Sequence, residues 1–407
     1  MQKVYERCCG IDVHKQMIAV CLKKGKHSEI RQFGTFTKDL REMTAWLKEQ
    51  DCQMVAMEST GPYWKPLFNV FELEELPAII VNAAHMKALP GRKTDVSDAE
   101  WIADLLQHGL LKASFVPHRK QRELRELTRY RKSRMEERAR EINRLQKMLE
   151  GANIKLSGTV TDITGQTAQK LLKLVTCGKP ITVEDVSACM VGNLKASAEE
   201  LYISLEGIVT DLQRELILEI MRVIDEQTQQ IARAEALVQK YMDEEFSRAA
   251  SAIDDLPGIA KISAQQIIAE IGTDMSRFPS ADHLCSWAGI CPGNNESAGK
   301  RKSGKTNKGN KILKSTITQC AMVAVKNKDT FFYAQYQRLV VRRGKKKAII
   351  AVAHSMLISI YHVLQGHPYK DLGSGYYNQF NTEKKINSYL NKLKNLGWEP
   401  PSPAVSC

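Results

Sequence analysis

The sequence lacks the signs of a secreted, disulfide-bonded or membrane-spanning protein. Its ten cysteines are scattered without a CxxC pair, which argues against a zinc site and against a disulfide framework. The first ten residues, MQKVYERCCG, contain no apolar core of signal-peptide length. The longest apolar stretch, residues 348–364, is interrupted by two histidines and two serines. These absences predict a cytoplasmic protein with reduced thiols and no membrane segment.

Acidic residues are outnumbered, with 46 Asp and Glu against 59 Lys and Arg, a net charge of +13. The hydrophobic content of 43% is ordinary for a globular protein, and 407 residues suffice for two or three domains. Clustered positive charge attracts polyanions, of which nucleic acid is the commonest. Charge alone leaves binding to a ribosome or a membrane surface open.

The first hundred residues show the pattern of a mixed α/β domain. Three short strands, CCGIDVH, MIAVCLKK and EIRQFGTF, are separated by turns that suit an antiparallel meander. A helix over 38–49, a strand CQMVAMES, a helix over 63–73, a strand AIIVN and a helix over 96–108 follow. The order βββαβαβα is that of a ribonuclease-H-like fold, which we expect over residues 1–115.

Residues 116–250 predict long helices. From Arg119 to Leu149 the chain carries twelve basic and five acidic residues, with apolar positions spaced by seven. A cleaner heptad follows, with Ile217, Ile224, Ile231 and Val238 on one seam and Ile220, Gln227, Ala234 and Tyr241 on the other. This coiled-coil pattern fits either a helical hairpin within the chain or a dimerisation arm. We assign no role to residues 151–204.

Residues 251–370 predict a mainly α-helical domain, followed by a tail over 371–407. The segment LPGIAKISAQQIIAEIG, which contains Gly258, has the turn and helix with which a helix-hairpin-helix element begins. Backbone N–H groups near Gly258 would then meet a DNA phosphate, although a plain helix turn gives the same pattern. The last eight residues, PPSPAVSC, predict disorder.

Four acidic residues fall where this fold would gather them. Asp12 lies on the first strand, and Glu58 ends the fourth, which a parallel pairing places beside the first. Asp95 and Asp98 share a face at the start of the next helix. Converging carboxylates need cations between them, and two Mg²⁺ ions are the usual solution in phosphoryl transfer. Taken singly, each acid also fits a helix cap, a first-turn acid or a solvated strand end.

The segment from Pro292 to Ser315 holds seven basic residues, one acid and four glycines. Such a loop suits a phosphate backbone, with Lys300, Arg301, Lys302, Lys305 and Lys308 as candidate nucleic-acid contacts. Small neighbours around Ser297 would let a scissile phosphate approach its hydroxyl, which needs activation from elsewhere. A serine that only caps or hydrogen-bonds in a DNA-binding loop fits the local sequence equally.

Residues 299–306, GKRKSGKT, match the P-loop pattern letter for letter. A working P-loop follows a buried strand and opens a helix, whereas the residues before this match, CPGNNESA, contain no hydrophobic run. We therefore do not predict nucleotide hydrolysis.

These motifs together resemble those of bacterial insertion-sequence transposases that pair an N-terminal RuvC-like DEDD domain with a C-terminal serine domain. The resemblance covers most of the chain and runs through GIDVHK, AMESTGPYW, KTDVSDAEWIADLL, LPGI and CSWAGICPGNNESAGKRKSGKTNKGN. It implies a recombinase that excises and inserts its element through a serine-linked DNA intermediate, with Asp12, Glu58, Asp95 and Asp98 supporting magnesium-dependent chemistry. Ser297 would be the nucleophile, with Ser303 as a second candidate because it directly precedes a glycine, as in relatives.

The resemblance also implies partners. Members of this family use a structured noncoding RNA encoded by the element, the bridge RNA, which pairs with donor and target DNA. We therefore expect double-stranded DNA, a guide RNA and a homodimer or homotetramer, in a bacterial cytoplasm and at the nucleoid when active. Two other functions remain open at this point: a hydrolytic Holliday-junction-type nuclease, which needs the acids but not Ser297, and a nucleic-acid-binding protein without catalysis.

Overall fold

A computed structural model of the chain describes residues 3–59, 61–82, 98–292, 295–297, 300–303, 305–379 and 382–398, with only the backbone described at 295–297, 300–303, 378 and 382–385. The chain divides into two units, Met1–Pro117 and His118–Cys407. The division lies two residues from the first domain boundary that we expected. Asp95 and the segment PPSPAVSC lie outside the described residues.

The first unit is built on a mixed five-stranded sheet. Its strands are β1 (Arg7–Val13), β2 (Ile18–Lys24), β3 (His27–Phe33), β4 (Met54–Glu58) and β5 (Ala78–Val81), and its helices are α1 (Thr37–Glu49), α2 (Trp64–Leu73) and α3 (Asp98–Gln107). The spatial order is β3-β2-β1-β4-β5. Strands β1, β2 and β3 pair antiparallel, and β1, β4 and β5 pair parallel. The predicted element order is present, with strand and helix ends shifted by up to three residues.

The two faces of this sheet are covered differently. One face packs large apolar side chains, including Ile11, Leu22 and Met57, against Leu47 and Phe71. The other face carries α3, which lies so close to β1 that a Cβ on Gly10 would be 2.2 Å from the carbonyl oxygen of Ala99. Glycine at this position therefore allows the helix to rest directly on the central strand.

The second unit is built on two long helices, α4 (Arg119–Gly151) and α9 (Asp211–Tyr241), which pack antiparallel. Arg138 Nε donates to Thr228 Oγ1 at 2.7 Å, and Tyr241 donates its hydroxyl proton to Glu123 Oε2 at 3.1 Å, which fixes the antiparallel register. Ile217, Ile220, Ile224, Ala234 and Val238 of the heptad are buried. The heptad seam is thus packed within the chain, as in the first of the two interpretations.

Residues 152–210 form a lobe at one end of the α4–α9 pair. It contains four short helices: α5 (Leu156–Thr159), α6 (Gln166–Cys177), α7 (Val183–Cys189) and α8 (Ala198–Ser204). Their apolar residues form one core with Leu145, Leu149, Ile217 and Ile224 of the long helices. We call this the distal lobe.

The remainder of the second unit is mainly helical. A π-helical turn (Met242–Phe246) joins α9 to α10 (Ser247–Asp254), and α11 (Lys261–Ile271), α12 (Ala281–Ala288), α13 (Lys311–Ala324), α14 (Phe331–Arg343), α15 (Lys345–Leu364) and α16 (Thr382–Asn395) follow. Strands β6 (Asn295–Ser297) and β7 (Lys300–Ser303) form a two-stranded sheet between α12 and α13. Two differences from the sequence expectation stand out: the predicted loop contains this hairpin, and the predicted tail contains α16.

Among the described residues, α15 is the one helix long and apolar enough to cross a membrane. Its apolar residues, Val352, Met356, Leu357 and Ile360 among them, are buried. Tyr361 on the same helix donates to the carbonyl of Phe278 at 3.1 Å. The helix packs against α12, α13 and α14, so that its apolar side belongs to the core of the second unit.

Candidate functional site

Two of the predicted acidic residues, Asp12 and Glu58, come from neighbouring parallel strands. The register pairs Gly10 with Ala56 and Ile11 with Met57, so Asp12 and Glu58 follow side by side. Side chains alternate along a strand, and Gly10 and Ala56 face α3. Asp12 and Glu58 lie two residues further and therefore share that face, at the carboxyl end of both strands.

Asp98 is the first residue of α3, which runs antiparallel to β1. The carbonyl oxygen of Gln107, at the end of α3, accepts from Val4 N at 2.8 Å, while Ala99 and Ala103 lie over Gly10. The first turn of the helix therefore lies toward the end of β1 that carries Asp12. Three of the four predicted acids thus belong to one edge of the sheet, which we call the acidic edge. The fourth, Asp95, lies outside the described residues.

One side chain at the acidic edge was not predicted from the sequence. His14 Nε2 lies 2.9 Å from Asp12 Oδ2, and the side chain of Asp12 is 19% exposed. Carboxylate oxygens are the donors that Mg²⁺ prefers, so this donor set suits a hard divalent cation. Within the described part of the chain, no three acidic, histidine or cysteine side chains lie close enough together to hold a metal ion.

Both candidate serines belong to the β6–β7 hairpin. Ser297 pairs with Lys300 across a two-residue connection, and Ser303 pairs with Asn295 at the open end. The two serines therefore lie at opposite ends of one hairpin. Thr306 forms an isolated bridge with Pro292, and the next helix begins only at Lys311. A strand and a bridge thus occupy the part of the P-loop match where that motif needs a helix to begin.

Five of the predicted nucleic-acid contacts lie within this hairpin or directly after it. Lys300, Arg301 and Lys302 form most of β7, and the side chains of Lys305 and Lys308 just after it are exposed. A second basic segment, residues 338–347, comprises the end of α14, Gly344 and the start of α15, and its basic side chains are exposed. Its Arg338 guanidinium lies 4.6 Å from the ring centroid of Tyr377. Three lysines at the start of α15 oppose the helix dipole and therefore do not stabilise this helix end.

Gly258 has a structural reason to be glycine. Its φ is +84°, and a Cβ there would lie 2.4 Å from the Cys320 carbonyl oxygen and 2.6 Å from the Ala324 nitrogen. The turn between α10 and α11 therefore rests on the backbone of α13. A phosphate contact is not needed to explain this glycine and remains a prediction.

The described cysteines are free thiols. Burial raises the pKa of Cys8 and of Cys21 to about 12 and raises that of Cys285 as well. Such thiols are protonated and unreactive at neutral pH, since the thiolate is the nucleophile. They pack as small apolar side chains.

Two family models match the chain. A DEDD model of IS110 type, described as a transposase, matches residues 9–154, and a model described as "Transposase IS116/IS110/IS902 family" matches residues 250–337. The chain is also similar to the "Pilin gene-inverting protein" of Moraxella bovis and to that of Moraxella lacunata, each 31% identical over 133 residues. These alignments cover 31% of this chain and 40% of the relative's length.

Proposed function

The chain belongs to the IS116/IS110/IS902 family of transposases, and we propose that it excises and inserts a mobile DNA element through a covalent serine–DNA intermediate. The observation that carries this proposal is the order of the two matched segments: the acidic edge lies in the first and the serine hairpin in the second. The β3-β2-β1-β4-β5 sheet supports a ribonuclease-H-like, RuvC-like assignment for the first unit.

Ser297 attacks the scissile phosphate with its hydroxyl oxygen. A serine–phosphorus bond forms, a phosphorus–oxygen bond to deoxyribose breaks, and the leaving deoxyribose oxygen takes up a proton. A hydroxyl of the other DNA end then attacks the phosphoserine, which restores a phosphodiester and returns the proton to the serine. The phosphate bond energy is conserved, so no nucleotide is consumed. Basic residues of β7 neutralise the phosphates on either side.

Asp12, Glu58, Asp95 and Asp98 would hold one or two Mg²⁺ ions, whose chemistry is to neutralise charge at the reacting phosphate. His14 holds the Asp12 carboxylate by their 2.9 Å contact and limits its rotation. Glu58 presents a second carboxylate from the adjacent strand, and Asp98 a third from the helix over it. The sheet fixes the backbones of Asp12 and Glu58, and the Gly10 contact fixes α3, which Asp98 opens, against β1.

The relatives' names favour recombination over hydrolysis. Inverting a gene requires that cut strands are rejoined, whereas a hydrolytic nuclease leaves them open. We propose that the partners are double-stranded DNA and an element-encoded RNA, held by α4 and by the basic segment 338–347, in a homodimer or homotetramer. The reaction would take place at the bacterial nucleoid.

The test is whether the protein becomes covalently attached to its element-end DNA in the presence of Mg²⁺ and a candidate RNA. We expect an adduct with wild type and Ser303→Ala, and none with Ser297→Ala or Asp12→Asn. An adduct that disappears only in Ser303→Ala would transfer the nucleophile to that serine. Strand cleavage without an adduct, unchanged in Ser297→Ala, would replace the proposal with a metal-dependent nuclease.

A further inference from the structure

A buried carboxylate in the second unit lies outside the chemistry proposed so far. Glu270 of α11 is fully buried. Arg129 donates from Nε and from a terminal nitrogen to its two oxygens, both at 2.8 Å, and Arg125 Nε lies 3.5 Å from Oε2. Burial lowers the pKa of Arg125 to about 10, which leaves its guanidinium charged at neutral pH. A buried carboxylate is stable only when it is paired in this way.

Glu270 also contacts the residue that begins α13. Asn310 Nδ2 donates to Glu270 Oε2 at 2.6 Å, while Asn310 Oδ1 accepts from the backbone nitrogens of Ile312 and Leu313, both at 3.1 Å. Only one orientation of the amide satisfies both sets of partners, since the carboxylate needs a donor and the helix N-terminus needs an acceptor. Asn310 therefore connects the buried carboxylate to the start of the helix.

Asn310 ends the segment that returns from the β6–β7 hairpin. Its backbone nitrogen donates to the Trp287 carbonyl at 3.3 Å, and Asn307 N donates to the Cys291 carbonyl at 3.2 Å. A Cβ on Gly309 would lie 2.4 Å from the nitrogen of Gly289, so that the two glycines allow the backbones to touch. These contacts join the two chain segments on which the hairpin is built. We call them the hairpin base.

We propose that Glu270, held by Arg125 and Arg129, is a positioning residue that fixes the hairpin base and thereby the direction in which Ser297 is presented to DNA. The inference rests on the proposed role of Ser297. The guanidinium groups come from α4, so the long helix that opens the second unit sets the position of the serine hairpin through one carboxylate and one amide.

The two partners allow a swap that separates positioning from folding. Asn310→Asp keeps an oxygen that caps α13, removes the amide donor and places two carboxylates face to face. Glu270→Gln removes the charge and one of two acceptor oxygens. In the double variant the introduced glutamine amide can donate to the introduced aspartate carboxylate, which removes the facing negative charges. The same amide nitrogen then faces Arg129, which in wild type donates to the oxygen at that position at 2.8 Å, so the reversal is incomplete. The matched control is Glu219→Gln, since Glu219 also pairs with an arginine, Arg222, at 2.7 Å, but lies on α9 and does not contact the hairpin base.

Three quantities are measured on the full chain: hydrogen exchange of the Asn307 and Asn310 amides, DNA affinity, and the rate of adduct formation at saturating DNA. We expect each single variant to exchange roughly 10-fold faster and to form adduct roughly 10-fold to 100-fold more slowly, with DNA affinity within about twofold of wild type. The double variant should recover part of the loss that Asn310→Asp causes in both rates, because the facing negative charges are removed. Recovery should be incomplete, because Arg129 still lacks one of its two acceptor oxygens. Glu219→Gln should match wild type.

The inference is overturned if folded Asn310→Asp exchanges like wild type, if exchange accelerates while the adduct rate stays unchanged, or if the double variant shows no recovery. An equal loss of DNA affinity and adduct rate also overturns it, because that result indicates a binding role. If wild-type protein forms no adduct, the proposed nucleophile fails. Exchange in the four variants then still decides whether Glu270 fixes the hairpin base.

Discussion

Replacement of Gly10 by alanine tests how the acidic edge is built. The added Cβ would lie 2.2 Å from the Ala99 oxygen and 2.3 Å from the Ala103 nitrogen, where ordinary contact begins at 3.4 Å. Both are backbone atoms, so a rotamer change cannot relieve the clash, and α3 must move away from β1 by about 1 Å. Overpacking of this kind costs roughly 1–3 kcal/mol, and we expect the upper half of that range.

The assay is native-state hydrogen exchange of the β1 amides, because β1 has a strand on each side and its exchange reports the stability of the first unit. Gly10→Ala should lower the free energy of unfolding of this unit by about 2–3 kcal/mol. The control is Gly151→Ala at the end of α4, where nothing lies within 4 Å of the added Cβ. That substitution should be neutral or stabilise by up to about 1 kcal/mol.

The same shift should displace Asp98 from Asp12, since Asp98 opens the helix that moves. Gly10→Ala should therefore lose metal-dependent strand cleavage even at temperatures where the unit remains folded, while DNA binding is retained. Unchanged exchange in β1, or full cleavage activity with a destabilised unit, would refute the argument that the glycine contact sets the acidic edge.

Two further predictions concern the apolar core of the α4–α9 pair and the buried thiols of the first unit. Ile224→Ala should destabilise the α4–α9 pair by about 2–5 kcal/mol, measured by thermal unfolding, because Ile224 is 3% exposed. Leu216→Ala on the same helix, where the side chain is 40% exposed, should have a much smaller effect. The buried thiols predict alkaline sensitivity: the folded pKa of Cys8 and Cys21 is about 12 against 9.0 for an ordinary thiol, so their contribution is complete below pH 9 and is lost as pH rises toward 12. The free energy of unfolding of the first unit should fall by about 1.4 kcal/mol per thiol per pH unit in that window, and Cys8→Ala should remove its share; a flat profile in wild type contradicts this.

The strand and helix order of the first unit was predictable because four of its five strands are mainly apolar and its helices are amphipathic. The β6–β7 hairpin was not, since NES and KRKS contain no apolar alternation. Periodicity in α9 identified a buried face but not its partner, which is α4 of the same chain. An apolar repeat shows that one face of a helix is buried, but it does not identify the element that covers that face.

Within the candidate site, the sequence indicated residue types and the fold supplied their neighbours. Asp12 and Glu58 were predicted as strand neighbours, and the register places them so. His14 was missed because one histidine in a strand end has no distinguishing pattern. The sequence contains one indication of Glu270, because it is the lone acid within the otherwise uncharged stretch ISAQQIIAEIG. Its partners, however, lie 141 and 40 residues away along the chain. No local pattern identifies contacts of that range.

The two ends of the distal lobe are in contact, because Ile208 N donates to the carbonyl of Ala152 at 3.0 Å. Because the two ends of the lobe are already in contact, residues can be inserted or deleted within it at a small entropic cost, since the entropy of loop closure depends only weakly on loop length. The first family-matched segment ends at residue 154, three residues into the lobe, and the second begins at residue 250, after α9. A change in the length of the lobe therefore costs little in chain entropy. For protein engineering, the turn at Gly192, where a Cβ would meet nothing within 4 Å, is the natural insertion point for a fluorescent reporter domain.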